Sequence, residues 1–146
     1  MSPHTTSAPE LLDVADPDQA HWIELPSYRP SVRVARRLMR TRLGGWGLSG
    51  ELCADAVLLV SELAANAVRH TSSVRILCGM GFVTAGCLRI EVHDHDYSGC
   101  GLTRRDPGPD DEGGRGLLLV EYLADSWGVD RSRLTGGKAV WATLTA

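Results

Sequence analysis

Residues 50–70 constrain the fold most, because they carry an apolar stripe that only a helix aligns. At about 100° per residue, the main apolar side chains of this segment fall within one arc of about 100°. They are Leu52, Ala56, Leu59, Val60, Leu63 and Ala67. A stripe this wide has to be covered by a second layer of structure. We therefore predict a long buried helix that begins at Ser49 or Gly50 and ends near His70.

The remaining segments predict a sheet built from hairpins. Alternating or apolar runs bounded by turn residues mark five strands, expected over 21–25, 74–79, 87–94, 127–131 and 138–144. The last two strands are expected to form a hairpin that turns at 135–137, and a helix is expected over 117–124. Strands paired in this way imply an α/β (α+β) two-layer sandwich, with a mixed, mostly antiparallel sheet and its helices on one face.

Composition limits this fold to one domain. The chain has 146 residues and a net charge of −3, and no stretch approaches the roughly 20 apolar residues that span a bilayer. Residues 1–19 are polar and aperiodic, so we expect a disordered tail followed by a domain over 20–146. The tail has neither the basic start nor the apolar centre of a secretory signal. The four cysteines lack close spacing and indicate buried, reduced thiols, so the expected location is cytoplasmic.

A second expected helix is strongly basic on one flank. We expect Ser31 to cap it and Gly44 and Gly45 to end it. Its exposed side carries four arginines and no acid: Arg33, Arg36, Arg37 and Arg40. The acidic net charge and the lack of interleaved aromatic residues disfavour direct nucleic-acid binding. A solvated face, or a patch for an acidic protein partner, is the better interpretation.

A narrow polar strip follows one edge of the long helix, and it contains Asp55, Glu62, Asn66 and Arg69. Glu62 and Asn66 are one turn apart, so a carboxylate and a carboxamide can reach one small object. Oxygen ligands of this kind suit Mg²⁺, which keeps several waters or phosphate oxygens. The alternative is an ordinary solvated helix face. The spacing alone leaves both interpretations open.

Two further segments could carry chemistry. His93, His95 and Cys100 could form part of a zinc site, although the sequence fixes no fourth ligand. Residues 113–120 run from glycines into a helix, an arrangement that lets backbone N–H groups approach a phosphate. The alternative for the second segment is a flexible hinge. Residues 97–115 before it form a long Gly/Pro-rich loop, which is more often functional than accidental.

Taken in order, these segments resemble the N, G1 and G2 boxes of the GHKL ATPases. The resemblance covers residues 20–146 and is closest to stand-alone anti-sigma-factor serine kinases. It is carried by SELxxNAVxH at 61–70, by Asp94 at a strand end, and by GGRGLxLV at 113–120. It implies a Bergerat-type ATP-binding fold with ATP and Mg²⁺ as cofactors.

The resemblance also implies roles for individual residues. Asn66 would hold Mg²⁺, Glu62 would be the general base, and Asp94 would accept a hydrogen bond from the adenine amino group. The phosphates would lie against the start of the last helix, at Gly114, Arg115, Gly116 and Leu117. In the family the adenine box reads Asp-x-Gly-x-Gly, whereas Asp96 stands here at the first glycine. Lys138 likewise stands where threonine is common.

The implied function is a kinase that binds a sigma factor and phosphorylates a serine or threonine of an anti-anti-sigma protein, with homodimers as in similar kinases. The alternative is a non-catalytic regulator that binds protein partners in a nucleotide-dependent way. A DNA-associated protein using the basic flank is a third interpretation. Labelled phosphate transfer, nucleotide binding and salt-dependent DNA binding distinguish the three.

Overall fold

We describe the protein from a computed structural model that covers residues 20–48, 50–84, 86–96 and 112–145, with the backbone alone over 112–117. Its elements in chain order are β1 (Ala20–Pro26), α1 (Pro30–Gly45), α2 (Gly50–His70), β2 (Arg75–Thr84), β3 (Cys87–Asp94), α3 (Glu112–Leu123), β4 (Ser126–Arg131) and β5 (Lys138–Thr145). The strands form one five-stranded sheet in the order β1-β2-β3-β5-β4. Every neighbouring pair is antiparallel. The predicted α+β architecture is confirmed.

The helices cover one face of the sheet, and the core lies between the two layers. Alternate strand residues point to this helix-facing side, and they are fully or nearly fully buried: Ile76, Cys78, Met80, Leu88, Ile90, Val92, Val140, Ala142 and Leu144. From α2, the predicted stripe reaches the same core, with Leu52 partly buried at its start. Since α2 packs on β3 and on both other helices, it is the central helix of the layer.

Three element boundaries differ from the sequence prediction by two residues or more. Helix α1 begins at Pro30, so Ser31 lies inside the first turn, and Arg29 occupies the cap position without a side-chain cap bond. The fixed φ of proline suits the first helical position, which explains the earlier start. Helix α3 begins at Glu112 and includes the glycines at 113, 114 and 116. The predicted start at 117 was too late, because glycine has a low helix propensity and the pattern before 117 does not indicate a helix. Strand β2 continues to Thr84.

The thiols and the chain start complete this comparison. Cys78 is buried, and burial raises the pKa of its thiol to about 12, whereas Cys53 and Cys87 are half-buried. Residues 1–19, where a disordered tail was expected, and Cys100 lie outside the described residues. Among the helices that the structure describes, none is long and apolar enough to cross a membrane.

Candidate functional site

Glu62 and Asn66 lie one turn apart on α2, between residues that face the core. Asn66 is only 9% exposed, and Glu62 is half-buried. Neither side chain makes a hydrogen bond or ion pair with any residue that the structure describes. The Asn66 carboxamide therefore keeps some access to solvent, although the rest of the residue is buried, and its hydrogen-bonding positions are open to a ligand. The pair therefore fits a ligand that supplies the missing contacts, as a hydrated cation does.

Asp94 ends β3 on the helix-facing side of the sheet and is 3% exposed. Its Oδ1 atom accepts the N–H groups of Lys138 at 2.9 Å and Asp96 at 3.0 Å. Its backbone carbonyl accepts the hydroxyl of Thr135 at 2.5 Å. Within the described part of the chain, no donor reaches Oδ2. One carboxylate oxygen is thus fixed by the backbone, and the other has no donor among these residues.

The turn between β4 and β5 brings these partners to Asp94. Gly136 has a positive φ of 81°, a conformation that glycine adopts without steric cost. Gly137 packs so closely that a Cβ atom there would collide with the carbonyl oxygen and Oδ1 of Asp94. The sequence marked 135–137 only as a turn. The supporting roles of Thr135, Gly137 and Lys138 were missed, since nothing local ties these residues to Asp94.

Asp96 is the residue at which the family's adenine box is altered. Its N–H group bonds to Asp94, and its carboxylate accepts the hydroxyl of Ser72 at 3.3 Å, just beyond the end of α2. The substituted side chain therefore contributes to a contact between the end of β3 and the end of the central helix.

The glycine segment lies in the first half of α3, which packs against α2. The backbone of Gly114, Arg115, Gly116 and Leu117 is helical. Of the Gly/Pro-rich loop predicted over 97–115, residues 97–111 lie outside the described residues. The phosphate-binding roles of these four residues remain predictions.

The zinc interpretation is not supported, because both ring nitrogens of His93 are already used. Nδ1 lies 2.6 Å from the Ser132 hydroxyl, and Nε2 lies 2.7 Å from Glu91 Oε1. His95 points instead towards Glu24, at 3.4 Å. Among the residues described, no group of three histidine, cysteine or acidic side chains could hold a metal ion.

The basic flank of α1 is where the sequence predicted it. Arg33, Arg36, Arg37 and Arg40 are all exposed, and the helix carries no acidic residue. Its opposite side is buried through Ala35, Met39 and Leu43. The helix therefore presents a positively charged surface away from the core, remote in sequence from the residues around Glu62 and Asp94.

Comparison with known proteins agrees with the observed fold. The crystal structure of the RsbU and RsbW domains of Rv1364c from Mycobacterium tuberculosis superposes with a TM-score of 0.64 at 22% sequence identity. The match covers 86% of this chain and 31% of that one, so the two share a fold over less than a third of the longer protein. None of the curated proteins matches the sequence. Residues 25–144, most of the chain, match the family of histidine kinase-like ATPase domains, so the chain belongs to that family.

Proposed function

We propose that the protein is an ATP-dependent serine/threonine kinase of the anti-sigma-factor type. The observation that carries the proposal is the pair on α2: the unpartnered carboxamide of the buried Asn66 one turn from the Glu62 carboxylate, in a domain of an ATPase family. The structural likeness to a chain with an RsbW domain supports a regulatory kinase over other members of the family. The SELxxNAVxH and GGRGLxLV motifs support the same choice.

Adenine is recognised by Asp94. Its Oδ1 is held by two backbone N–H groups, and this fixes the carboxylate plane. Oδ2, which meets no donor among the described residues, accepts the 6-amino group of adenine and disfavours guanine, whose oxygen at that position cannot donate. The triphosphate then extends towards α2 and the glycine-containing first turns of α3 at 114–117, where the absence of side chains on Gly114 and Gly116 lets the phosphates approach the backbone.

Asn66 would hold Mg²⁺ through its carboxamide oxygen, and the ion would offset the negative charge of the phosphates when it is bound. Glu62 accepts the proton of the substrate hydroxyl. As that proton leaves, the serine or threonine oxygen forms a bond to the γ-phosphorus, and the bond from the γ-phosphorus to the β,γ-bridging oxygen breaks to release ADP. The half-buried position of Glu62 allows a protein substrate to reach it.

The partner binds at the basic face of α1, whose arginines attract an acidic protein surface. Sigma factors and anti-anti-sigma proteins are the candidate partners. Charge reversal of two arginines, Arg36→Glu with Arg37→Glu, is expected to abolish partner binding and to leave ATP binding unchanged.

The decisive experiment incubates the purified protein with labelled ATP, Mg²⁺ and a candidate anti-anti-sigma protein. We expect label on the partner, and Glu62→Gln should reduce transfer at least a hundredfold while calorimetry shows unchanged ATP affinity. Glu51→Gln, at the exposed start of the same helix, is the matched control and should leave transfer unchanged. ATP binding without transfer to any such partner would favour the non-catalytic regulator. Absence of binding at millimolar ATP would reject both functions.

The nucleotide contact has its own test. Asp94→Asn should weaken ATP binding by roughly tenfold to a hundredfold, because the adenine amino group loses a charged acceptor. Asp55→Asn is the matched control on α2, since Asp55 is half-buried and lies outside the proposed contact. Equal ATP affinities for the two variants would mean that the base lies elsewhere.

A further inference from the structure

The sheet face that points away from the helices carries a buried row of charged and polar side chains. Arg89, Glu91 and His93 alternate along β3 and are 4%, 0% and 1% exposed. Two tryptophans from other strands pack against the row: the Arg89 guanidinium lies 4.4 Å from the centre of a Trp141 ring, and Trp22 meets the His93 ring edge-on at 5.4 Å. Arg89, Glu91 and His93 are thus about as buried as the apolar residues of the core.

The hydrogen bonds in this row fix the state of His93. Arg89 Nε donates to one oxygen of Glu91 at 2.6 Å, and His93 Nε2 lies 2.7 Å from the other. Ser132 Oγ already accepts the backbone N–H groups of Leu134 at 3.1 Å and Thr135 at 2.9 Å. With both lone pairs used, its hydroxyl must donate to Nδ1 of His93. His93 Nε2 therefore carries the proton and donates it to Glu91.

A serine, a histidine and an acid in this order resemble a nucleophilic triad, but the geometry excludes that use. Ser132 is 2% exposed and every hydrogen-bonding position of its hydroxyl is occupied. No substrate can approach it without disrupting the turn. The arrangement instead anchors a backbone segment to the sheet.

That segment is the one that holds Asp94. From Ser132 the chain turns so that Thr135 donates its hydroxyl to the Asp94 carbonyl, and Gly137 donates its N–H to Thr135 Oγ1 at 3.0 Å. The next residue, Lys138, donates its N–H to Asp94 Oδ1. These hydrogen bonds, together with the backbone of residues 132–138, thus link Glu91 on one face of the sheet to the Asp94 carboxylate on the other.

We propose that Ser132, held in place by His93 and Glu91, is a positioning residue that sets the orientation of the Asp94 carboxylate and thereby the selectivity for the 6-amino group of the purine. The proposal rests on the proposed function, in which Asp94 accepts that amino group. Loss of the Ser132 hydroxyl leaves the N–H groups of Leu134 and Thr135 and His93 Nδ1 without a partner. The turn then shifts, and the Asp94 carboxylate is no longer aligned with the 6-amino group of the base.

The test compares two nucleotides, ATP and purine riboside triphosphate, which lacks only the 6-amino group. The ratio of their dissociation constants reports the contact to that group, because other contributions to binding are shared. Ser132→Ala should reduce the preference for ATP by roughly threefold to tenfold and leave the affinity for purine riboside triphosphate nearly unchanged.

Matched substitutions on the same hairpin separate positioning from general damage. Thr135→Val removes the hydroxyl that reaches Asp94 and should lower the preference, whereas Thr135→Ser keeps it and should restore the preference. Thr143→Val makes the same change on β5 beside Ser126, where the threonine hydroxyl bonds away from the site, and should have no effect. If Ser132→Ala does not fold, as judged by circular dichroism, the three threonine variants still carry the test.

The outcomes are distinct. A wild-type protein that binds both nucleotides equally would reject the adenine contact itself, and this inference with it. A wild-type preference for ATP that survives in Ser132→Ala and Thr135→Val would overturn the positioning role alone. Equal weakening of both nucleotides would also overturn it, because the role would then be purely structural.

Discussion

On the helix-facing side of β3, Leu88, Ile90 and Val92 pack into the core, and on the opposite side Arg89, Glu91 and His93 are just as buried. The first set is stabilised by removal of apolar surface from water, which tolerates changes of shape fairly well. The second set is stabilised only while each charge keeps its partner, because an unpaired buried charge is costly. Equal burial on the two faces therefore imposes different requirements on the side chains.

The two faces meet at Asp94, where β3 ends. The carboxylate lies on the helix-facing side, near the central helix layer, but the turn that holds it is anchored by His93 and Ser132 on the other face. An apolar layer can place a strand, yet it has few directional contacts with which to orient a carboxylate. Hydrogen bonds supply that direction.

The largest expected effect on stability comes from removing a charge from the side of β3 that carries Arg89, Glu91 and His93, which we call the charged face. Glu91→Leu leaves the Arg89 guanidinium buried without its carboxylate, and it should lower the free energy of unfolding by about 3–5 kcal/mol. Urea denaturation measures this. The double variant Arg89→Leu with Glu91→Leu should be more stable than Glu91→Leu alone, because it removes the stranded charge.

Ile90→Val is the matched change on the apolar face of the same strand, and it should cost about 0.5–1.5 kcal/mol. Equal losses for Glu91→Leu and Ile90→Val would contradict the distinction between the faces. So would a double variant less stable than Glu91→Leu alone.

Next in size is the junction between the faces. Gly137→Ala drives a methyl group into the backbone carbonyl of Asp94, which cannot move aside, and into its Oδ1, which two backbone N–H groups hold in place. We expect a loss of about 1–3 kcal/mol in unfolding free energy, together with reduced ATP affinity by calorimetry. Gly44→Ala, where a new Cβ meets open space, is the control for both measurements. Unchanged ATP affinity in a folded Gly137→Ala protein would separate this turn from the nucleotide site.

Sequence reasoning succeeded where the regular spacing of apolar residues determines the secondary structure. The stripe on α2 and the alternation in β3 predicted the helix layer, the sheet and the positions of Glu62, Asn66 and Asp94. It failed where contacts join residues far apart in the chain. The pairing of His93 with Ser132 spans 39 residues, and the alternation of Arg89, Glu91 and His93 looks like a solvated strand face until Trp22 and Trp141 are seen beside it.

A smaller effect is expected at the rim of the charged face. Gly79 lies beneath the Trp22 ring, and a Cβ there would collide with it. Gly79→Ala should cost about 1 kcal/mol, because the ring can shift but gives up part of its edge-on contact with His93. Denaturation curves for Gly79→Ala, Trp22→Leu and the double variant form a cycle. The double variant should lose less unfolding free energy than the sum of the losses of the two single variants. Strict additivity would mean that the Trp22 ring does not respond to the added methyl group.

The smallest expected effect on stability is at β1, the edge strand of the sheet, on its helix-facing side. His21 lies in the groove between β1 and α1, and burial, followed by the nearby Arg42 guanidinium, lowers the pKa of its imidazole below 6.5. Since the unfolded chain binds this proton more readily, the contribution of His21 to stability is complete above pH 6.5 and is lost as the pH falls through the folded pKa. NMR titration should find the pKa of His21 below 6.5, and Arg42→Gln should raise it only part of the way, because burial is the larger cause. A full return of the His21 pKa to 6.5 in Arg42→Gln would show that the Arg42 charge, and not burial, is the main cause of the lowered pKa.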